Sequence, residues 1–120
     1  MKKTLGLVVA ISLLCICAAS ADESFGVPVY PGAKFDAAAT KILKEKIHIN
    51  GFCYRTEDSV QKVAEFYKNQ GLELSGEITK EGALYQTKTG VNVSIQNPWM
   101  DMSTGTMMKD TLVSIVKLRE

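Results

Sequence analysis

Residues Gly51–Leu72 read G-F-C-Y-R-T-E-D-S-V-Q-K-V-A-E-F-Y-K-N-Q-G-L, a short strand running into a capped amphipathic helix. Asp58 is placed to accept a hydrogen bond from a first-turn N–H, and Gln61 is placed to reach back, the spacing of a capping box; Thr56 is the alternative N-cap. Val60, Val63, Ala64 and Tyr67 recur on one helical face, widened by Phe66, while Lys62, Glu65, Lys68 and Asn69 take the polar side. Gly71 stands where a left-handed residue ends a helix, with Leu72 folding back toward Tyr67 as in a Schellman motif. Caps and core account for Asp58, Ser59 and Tyr67 without a catalytic role.

Downstream the hydrophobic period changes from that of a helix to that of a strand. Leu72, Leu74 and Ile78 alternate with Glu73, Ser75, Glu77 and Thr79. Lys80-Glu81-Gly82 reads as a turn, Ala83–Lys88 as a strand and Thr89-Gly90 as a second turn. Val91, Val93 and Ile95 then alternate with Asn92, Ser94 and Gln96, the pattern of an antiparallel sheet packed on one side. Thr111–Leu118 differs, because Leu112, Val113, Ile115, Val116 and Leu118 make both its faces apolar. Such a strand invites aggregation at a sheet edge, so an interior position is expected. The predicted fold class is α+β: an antiparallel sheet of about five strands with two helices in all, both on its apolar face. Starting from Phe52–Thr56, the expected strand order is 1-5-4-3-2. The rival is a 1-2-3-4-5 meander wrapping the helix.

Upstream, Asp36–Lys46 reads as the second helix, with Asp36 as N-cap and Ala39, Ile42, Leu43 and Lys46 on one face. Before it, Pro28-Val29-Tyr30-Pro31-Gly32-Ala33 is restricted to an extended path. Residues 22–35 are therefore expected to form an extended arm, mobile over Asp22–Val27. Its Tyr30 is either a buried anchor or a ligand-binding ring. Met1–Ala21 has the marks of a cleaved secretory signal peptide: Lys2 and Lys3, an apolar stretch Leu5–Cys17, then Ala19-Ser20-Ala21. Bulky Leu14 and Ile16 before Cys15 and Cys17 argue against lipid attachment. Residues 36–120 make a single α+β domain.

The P-V-Y-P-G-A segment at Pro28–Ala33 and T-x-D-S-x-x-x-V-x-x-F-Y at Thr56–Tyr67 resemble small secreted bacterial domains of uncharacterised function. The run I-Q-N-P-W-M-D-M-x-T-G at Ile95–Gly105 resembles a narrower subset of them. Many of those chains carry an aromatic after the helix-ending glycine, where Leu72 stands here. The resemblance implies an exported α+β domain and brings no catalytic or binding residue with it.

Export sets the remaining chemistry. Of three cysteines, two lie in the signal, so Cys53 has no intrachain partner; a buried strand thiol is expected. The chain carries 14 Lys plus Arg against 13 Asp plus Glu, interspersed and without a basic run, which disfavours nucleic acid. Membrane contact is expected only through the signal before cleavage. His48 is the only histidine and has no ligand-spaced neighbour. No phosphate loop, metal spacing or nucleophile triad is visible, so neither enzyme activity nor a cofactor is expected.

The expected function is a non-catalytic binding or accessory domain, periplasmic or secreted, taking an unidentified protein or small ligand of the envelope. The alternatives are a structural component of an envelope assembly and a Met-based Cu(I)-handling protein. The recognition element is sought in Pro98–Lys109, which holds the only Trp and four of the five Met. A hairpin turning at Ser103-Thr104-Gly105 pairs Met100 with Met108, Ile95 with Val113 and Val93 with Ile115. Met100, Met102 and Met108 then share one face, a surface of adaptable thioethers or three soft ligands for Cu(I), while Trp99 and Met107 turn to the core. Candidate binding residues are accordingly Trp99, Met100, Met102, Met108 and Tyr30.

Overall fold

The computed structural model describes residues 23–118; the expected signal peptide Met1–Ala21 and its cleavage lie outside them. In chain order the elements are β1 (Glu23–Ser24), β2 (Val27–Pro28), β3 (Lys34–Phe35), α1 (Ala37–Glu45), β4 (Asn50–Thr56) and α2 (Val60–Asn69). There follow β5 (Glu73–Leu74), β6 (Gly82–Gln86), β7 (Val91–Gln96), β8 (Trp99–Asp101), β9 (Thr106–Met108) and β10 (Thr111–Lys117). The main sheet has the order β3-β4-β10-β7-β6-β5, with every neighbouring pair antiparallel. The fold is α+β, and the doubly apolar last strand is interior, between β4 and β7; the simple meander is not formed. Val113 pairs with Ile95 and Ile115 with Val93, the register expected from the apolar pattern. Gly51 lets β4 approach β10 closely, since a Cβ there would lie 2.6 Å from Val116 Cγ1 and 2.7 Å from the Ile115 carbonyl oxygen.

One face of the sheet is closed by α2. Val60, Val63, Ala64 and Tyr67 are buried against Tyr85, Val93, Ile95, Val113 and Ile115, and each fully buried aliphatic is worth roughly 1.5–3 kcal/mol. The helix ends as a Schellman motif: Gly71 N donates to Lys68 O at 3.1 Å and Leu72 N to Tyr67 O at 3.3 Å, with Gly71 at φ +84°. Its N-cap is Ser59, one residue later than the expected Asp58; the Ser59 hydroxyl accepts from Lys62 N at 3.2 Å. Asp58 is drawn elsewhere, accepting from the Tyr30 hydroxyl at 2.6 Å. Gln61 reaches the Thr79 carbonyl and not back to the cap.

The N-terminal segment belongs to this same core. Residues 23–28 form the β1–β2 hairpin, so the expected mobility of Asp22–Val27 does not hold for its described part. Ser24 and Val27 are buried, and the Ser24 and Tyr54 hydroxyls are hydrogen-bonded at 2.9 Å. Val29 and Tyr30 continue the burial, and the Tyr67 hydroxyl donates to the Pro28 carbonyl at 2.9 Å.

The other face takes α1, which corrects the expectation that both helices share one side. Cys53 and Leu112 alternate with Tyr54 and Val113, so they point away from α2, and they pack with Trp99 against Ala39 and Leu43. A strand apolar on both faces needs a cover on both. The junction is closed by backbone and side chain together: Asp36 N donates to Cys53 O, and the Thr40 hydroxyl accepts from Cys53 N, both at 2.9 Å. Asp36 caps α1 as expected, accepting from Ala39 N at 2.9 Å.

Candidate functional site

Beyond Gln96 the chain leaves the main sheet as a separate two-stranded arm, β8–β9, and returns as β10. Asn97 and Pro98 form one side of the arm's base, and Lys109 and Asp110 lead into Thr111 on the other. The side returning to β10 has one residue more between paired positions, Gln96 opposite Leu112 and Trp99 opposite Met108. The register at the tip is therefore shifted by one: Met100 faces Met107 and Asp101 faces Thr106, with residues 102–105 in the turn. The expected grouping of Met100, Met102 and Met108 on one face, with Trp99 and Met107 on the other, does not form. Trp99 is 4% exposed, and Met108 packs beside it on the Cys53–Leu112 cluster. Met100, Met102 and Met107 are 50%, 58% and 50% exposed.

Between this arm and α1 lies a groove of ≈ 400 Å³. Ile42, Leu43 and Ile47 form one wall, Trp99, Met100 and Met102 the other, and Leu112, Cys53 and Ser114 the floor. Among the described residues its only charged lining residue is Asp101, at the rim. There the Ser103 hydroxyl and backbone N–H hold the Asp101 carboxyl below its usual range. Burial pushes the Cys53 thiol up, only partly offset by hydrogen bonds from Ser114 and Thr40. A neutral, shielded thiol is a poor nucleophile.

The back of the arm is fixed by charge. Asp110 accepts from Trp99 Nε1 at 2.9 Å and from Arg55 Nε at 2.7 Å. Arg55 also reaches Asp36, the α1 cap, at 3.4 Å, and its guanidinium lies 5.2 Å from the centre of the Trp99 ring. The hydrogen bond that Arg55 donates to Asp110, with Asp36 behind it, raises the Arg55 pKa above its ordinary value. This chain of contacts joins the two walls of the groove, α1 and the arm.

A second, polar cleft of ≈ 680 Å³ adjoins it, lined by Lys34, Asp36, Arg55, Glu57, Asp58 and Asp110 among others. Three of its carboxylates are committed inside the fold: Asp36 to Ala39 N and Arg55, Asp110 to Arg55 and Trp99, Asp58 to Tyr30. Tyr30 is thus a buried anchor; burial and the neighbouring Asp58 push its hydroxyl up to about 12. His48 lines neither cavity. Among the described residues no group of three or more His, Cys, Asp or Glu is placed to hold a metal ion, and no helix is long and apolar enough to cross a membrane.

Trp99, Met100 and Met102, singled out in the sequence, do come together at the groove; Met108 lies beneath it and Tyr30 elsewhere in the core. Sequence reasoning missed Arg55 and Asp110. A signal existed, since a buried tryptophan needs an acceptor for its N–H and Asp110 follows directly on the arm. Comparison with known proteins gives no match to a family model, a curated protein or a solved structure.

Proposed function

We propose that the protein is an exported, non-catalytic binding or accessory module, periplasmic or secreted, that engages its partner at the groove between α1 and the β8–β9 arm. The observation that carries this reading is the groove itself: an apolar concavity of ≈ 400 Å³ walled by a buried Trp and two half-exposed Met. Its volume falls in the range of small-ligand sites, roughly 300–1,000 Å³. Thioethers adapt to varied shapes and tryptophan anchors interfaces, so this wall suits an apolar group presented by an envelope protein or small ligand. Trp99 Nε1, the Asp101 carboxylate and the Ser114 hydroxyl are each engaged within the fold, which favours binding over chemistry.

The test uses the mature protein, tagged, against an envelope extract, compared with a Met100→Ser/Met102→Ser variant. Both side chains are exposed, so the variant is expected to fold as the wild type does. Partners recovered by the wild type should be lost with the variant. Recovery of the same partners by both would refute the groove as the site, and recovery of none by the wild type would count against a binding role. Cell fractionation checks export independently.

A further inference from the structure

We infer that the β8–β9 arm is a hinged wall of the groove, latched shut by Asp110, which opens and closes without unfolding the main sheet. The arm has three paired residues on each strand and shares no strand pairing with the main sheet. A two-stranded hairpin of that size is marginal on its own in water. What orders it must therefore be its contacts at the base.

Those contacts divide cleanly. On the sheet side both ends of the arm are pinned: Asn97 N donates to Glu81 O at 3.0 Å, and the Asn97 side-chain amide donates to the Thr111 hydroxyl at 3.1 Å. The Thr111 hydroxyl in turn donates to the Asp58 carbonyl. On the arm side the contacts are the packing of Trp99 and Met108, the Arg55 guanidinium 5.2 Å from the centre of the Trp99 ring, and the hydrogen bonds by which the Asp110 carboxylate joins Trp99 to Arg55. Beyond Trp99 the arm carries exposed Met100, Met102 and Met107. Pro98 on one side and Lys109 on the other lie between the sheet-pinned residues and the paired arm, and form the hinge. Because Trp99, Met100 and Met102 are one wall of the groove, its width follows the arm. Asp110 is a positioning residue: it does not itself line the groove, yet it joins Trp99 to Arg55 and, through Arg55, to the cap of the opposite wall.

As regulation of the groove this rests on the binding reading above; as a motion it does not. Hydrogen exchange on the mature protein in graded sub-denaturing urea tests it first. Amides of residues 99–108 should exchange through an opening with little urea dependence, because a local hinge exposes little surface, while β4, β7 and β10 exchange through a strongly dependent one. An equal slope and equal protection for arm and sheet would overturn the proposal. Asp110→Asn tests the latch: arm amides should speed up by about tenfold or more, with sheet amides unchanged. Trp99, the only Trp, should shift its emission to longer wavelength. Unchanged arm exchange, or an acceleration spread equally over the sheet, would overturn the latch. A failed partner capture leaves these rates untouched, and a rigid arm leaves the groove standing as a preformed site.

Discussion

The two faces of the main sheet share the same central strand and are finished differently. On the α2 side fifteen buried residues, from Val27 to Ile115, interlock into one cluster. On the α1 side the buried apolar cluster among the described residues is just Cys53, Trp99 and Leu112, with Ala39, Leu43 and Met108 at the margin. The difference follows from what covers each face. The α2 stripe of Val60, Val63, Ala64 and Tyr67 meets a full row of alternating strand residues, and the N-terminal hairpin seals the side. The α1 helix is tied down mainly at its start, through Asp36 and Thr40, and leaves open the space that the arm only partly fills. A face packed to native density has no room for a partner; the underfilled face has.

The largest effect should come from breaking the full face. Tyr67 is wholly buried and its hydroxyl is paired, so Tyr67→Ala should cost roughly 3–5 kcal/mol in denaturant melts. Trp99→Ala, on the sparse face, should cost less, about 2–3 kcal/mol, because the arm can open locally instead of holding a cavity. If Trp99→Ala proved the costlier, the ranking of the two faces would be reversed.

Next comes the seam between the faces. Thr40 supplies the acceptor for the buried Cys53 N–H. Thr40→Val keeps the shape and removes that acceptor, an expected loss of about 1–3 kcal/mol. A neutral result in the same melts would mean that water reaches the seam and that α1 is looser than its contacts indicate.

Much of this was legible in the sequence, and the misses have physical causes. The helix Val60–Asn69, its Gly71 ending and the interior place of Thr111–Lys117 followed from local patterns, because period, cap and apolar run all act within a few residues. The cap itself slipped from Asp58 to Ser59 because Tyr30, distant in sequence, takes the Asp58 carboxylate. The β1–β2 hairpin escaped notice because its two-residue turn is Phe25-Gly26, both at positive φ, without the Asn or Asp that usually announces such a turn. The tip register slipped because the arm's two sides differ by one residue at the base, a count that no alternation pattern reports. The groove needed both errors mended, α1 moved to the opposite face and Trp99 turned toward it; only the concentration of Trp and Met pointed there beforehand.

Alkali offers a way to read the faces separately. Burial raises the pKa of Tyr30, Tyr67 and Tyr85 on the full face and of Cys53 on the sparse one. A folded chain that holds protons the unfolded chain has released loses stability as pH rises. The contribution is therefore complete below the unfolded thiol value of about 8.5, declines above it, and falls more steeply beyond the unfolded tyrosine value of about 10. For Tyr30 the fall continues to about 12. Urea melts at stepped pH should show this order, and Cys53→Ala should remove only the early decline. Stability that stays flat or rises through this range would contradict the buried, protonated state of these groups. The same shielding predicts slow reaction of Cys53 with a thiol reagent in the folded protein.

The smallest effect is the most informative about the groove. Met100 and Met102 are half exposed and sit on its rim, whereas Met108 packs beneath on Trp99, Cys53 and Leu112. Single changes to Ser should therefore separate them. Met100→Ser and Met102→Ser should each lie within about 0.5 kcal/mol of the wild type, as exposed substitutions do. Met108→Ser should cost about 1–2 kcal/mol, since a partly buried thioether is exchanged for a hydroxyl with no partner. The one-residue shift at the tip is what makes this ordering specific. In the unshifted register Met100 and Met108 would be paired neighbours on one face, and their substitutions would cost alike. Equal costs in parallel melts would restore that register and with it a shared thioether face; a clear gap keeps Met108 as part of the floor and leaves Met100 and Met102 free for a partner.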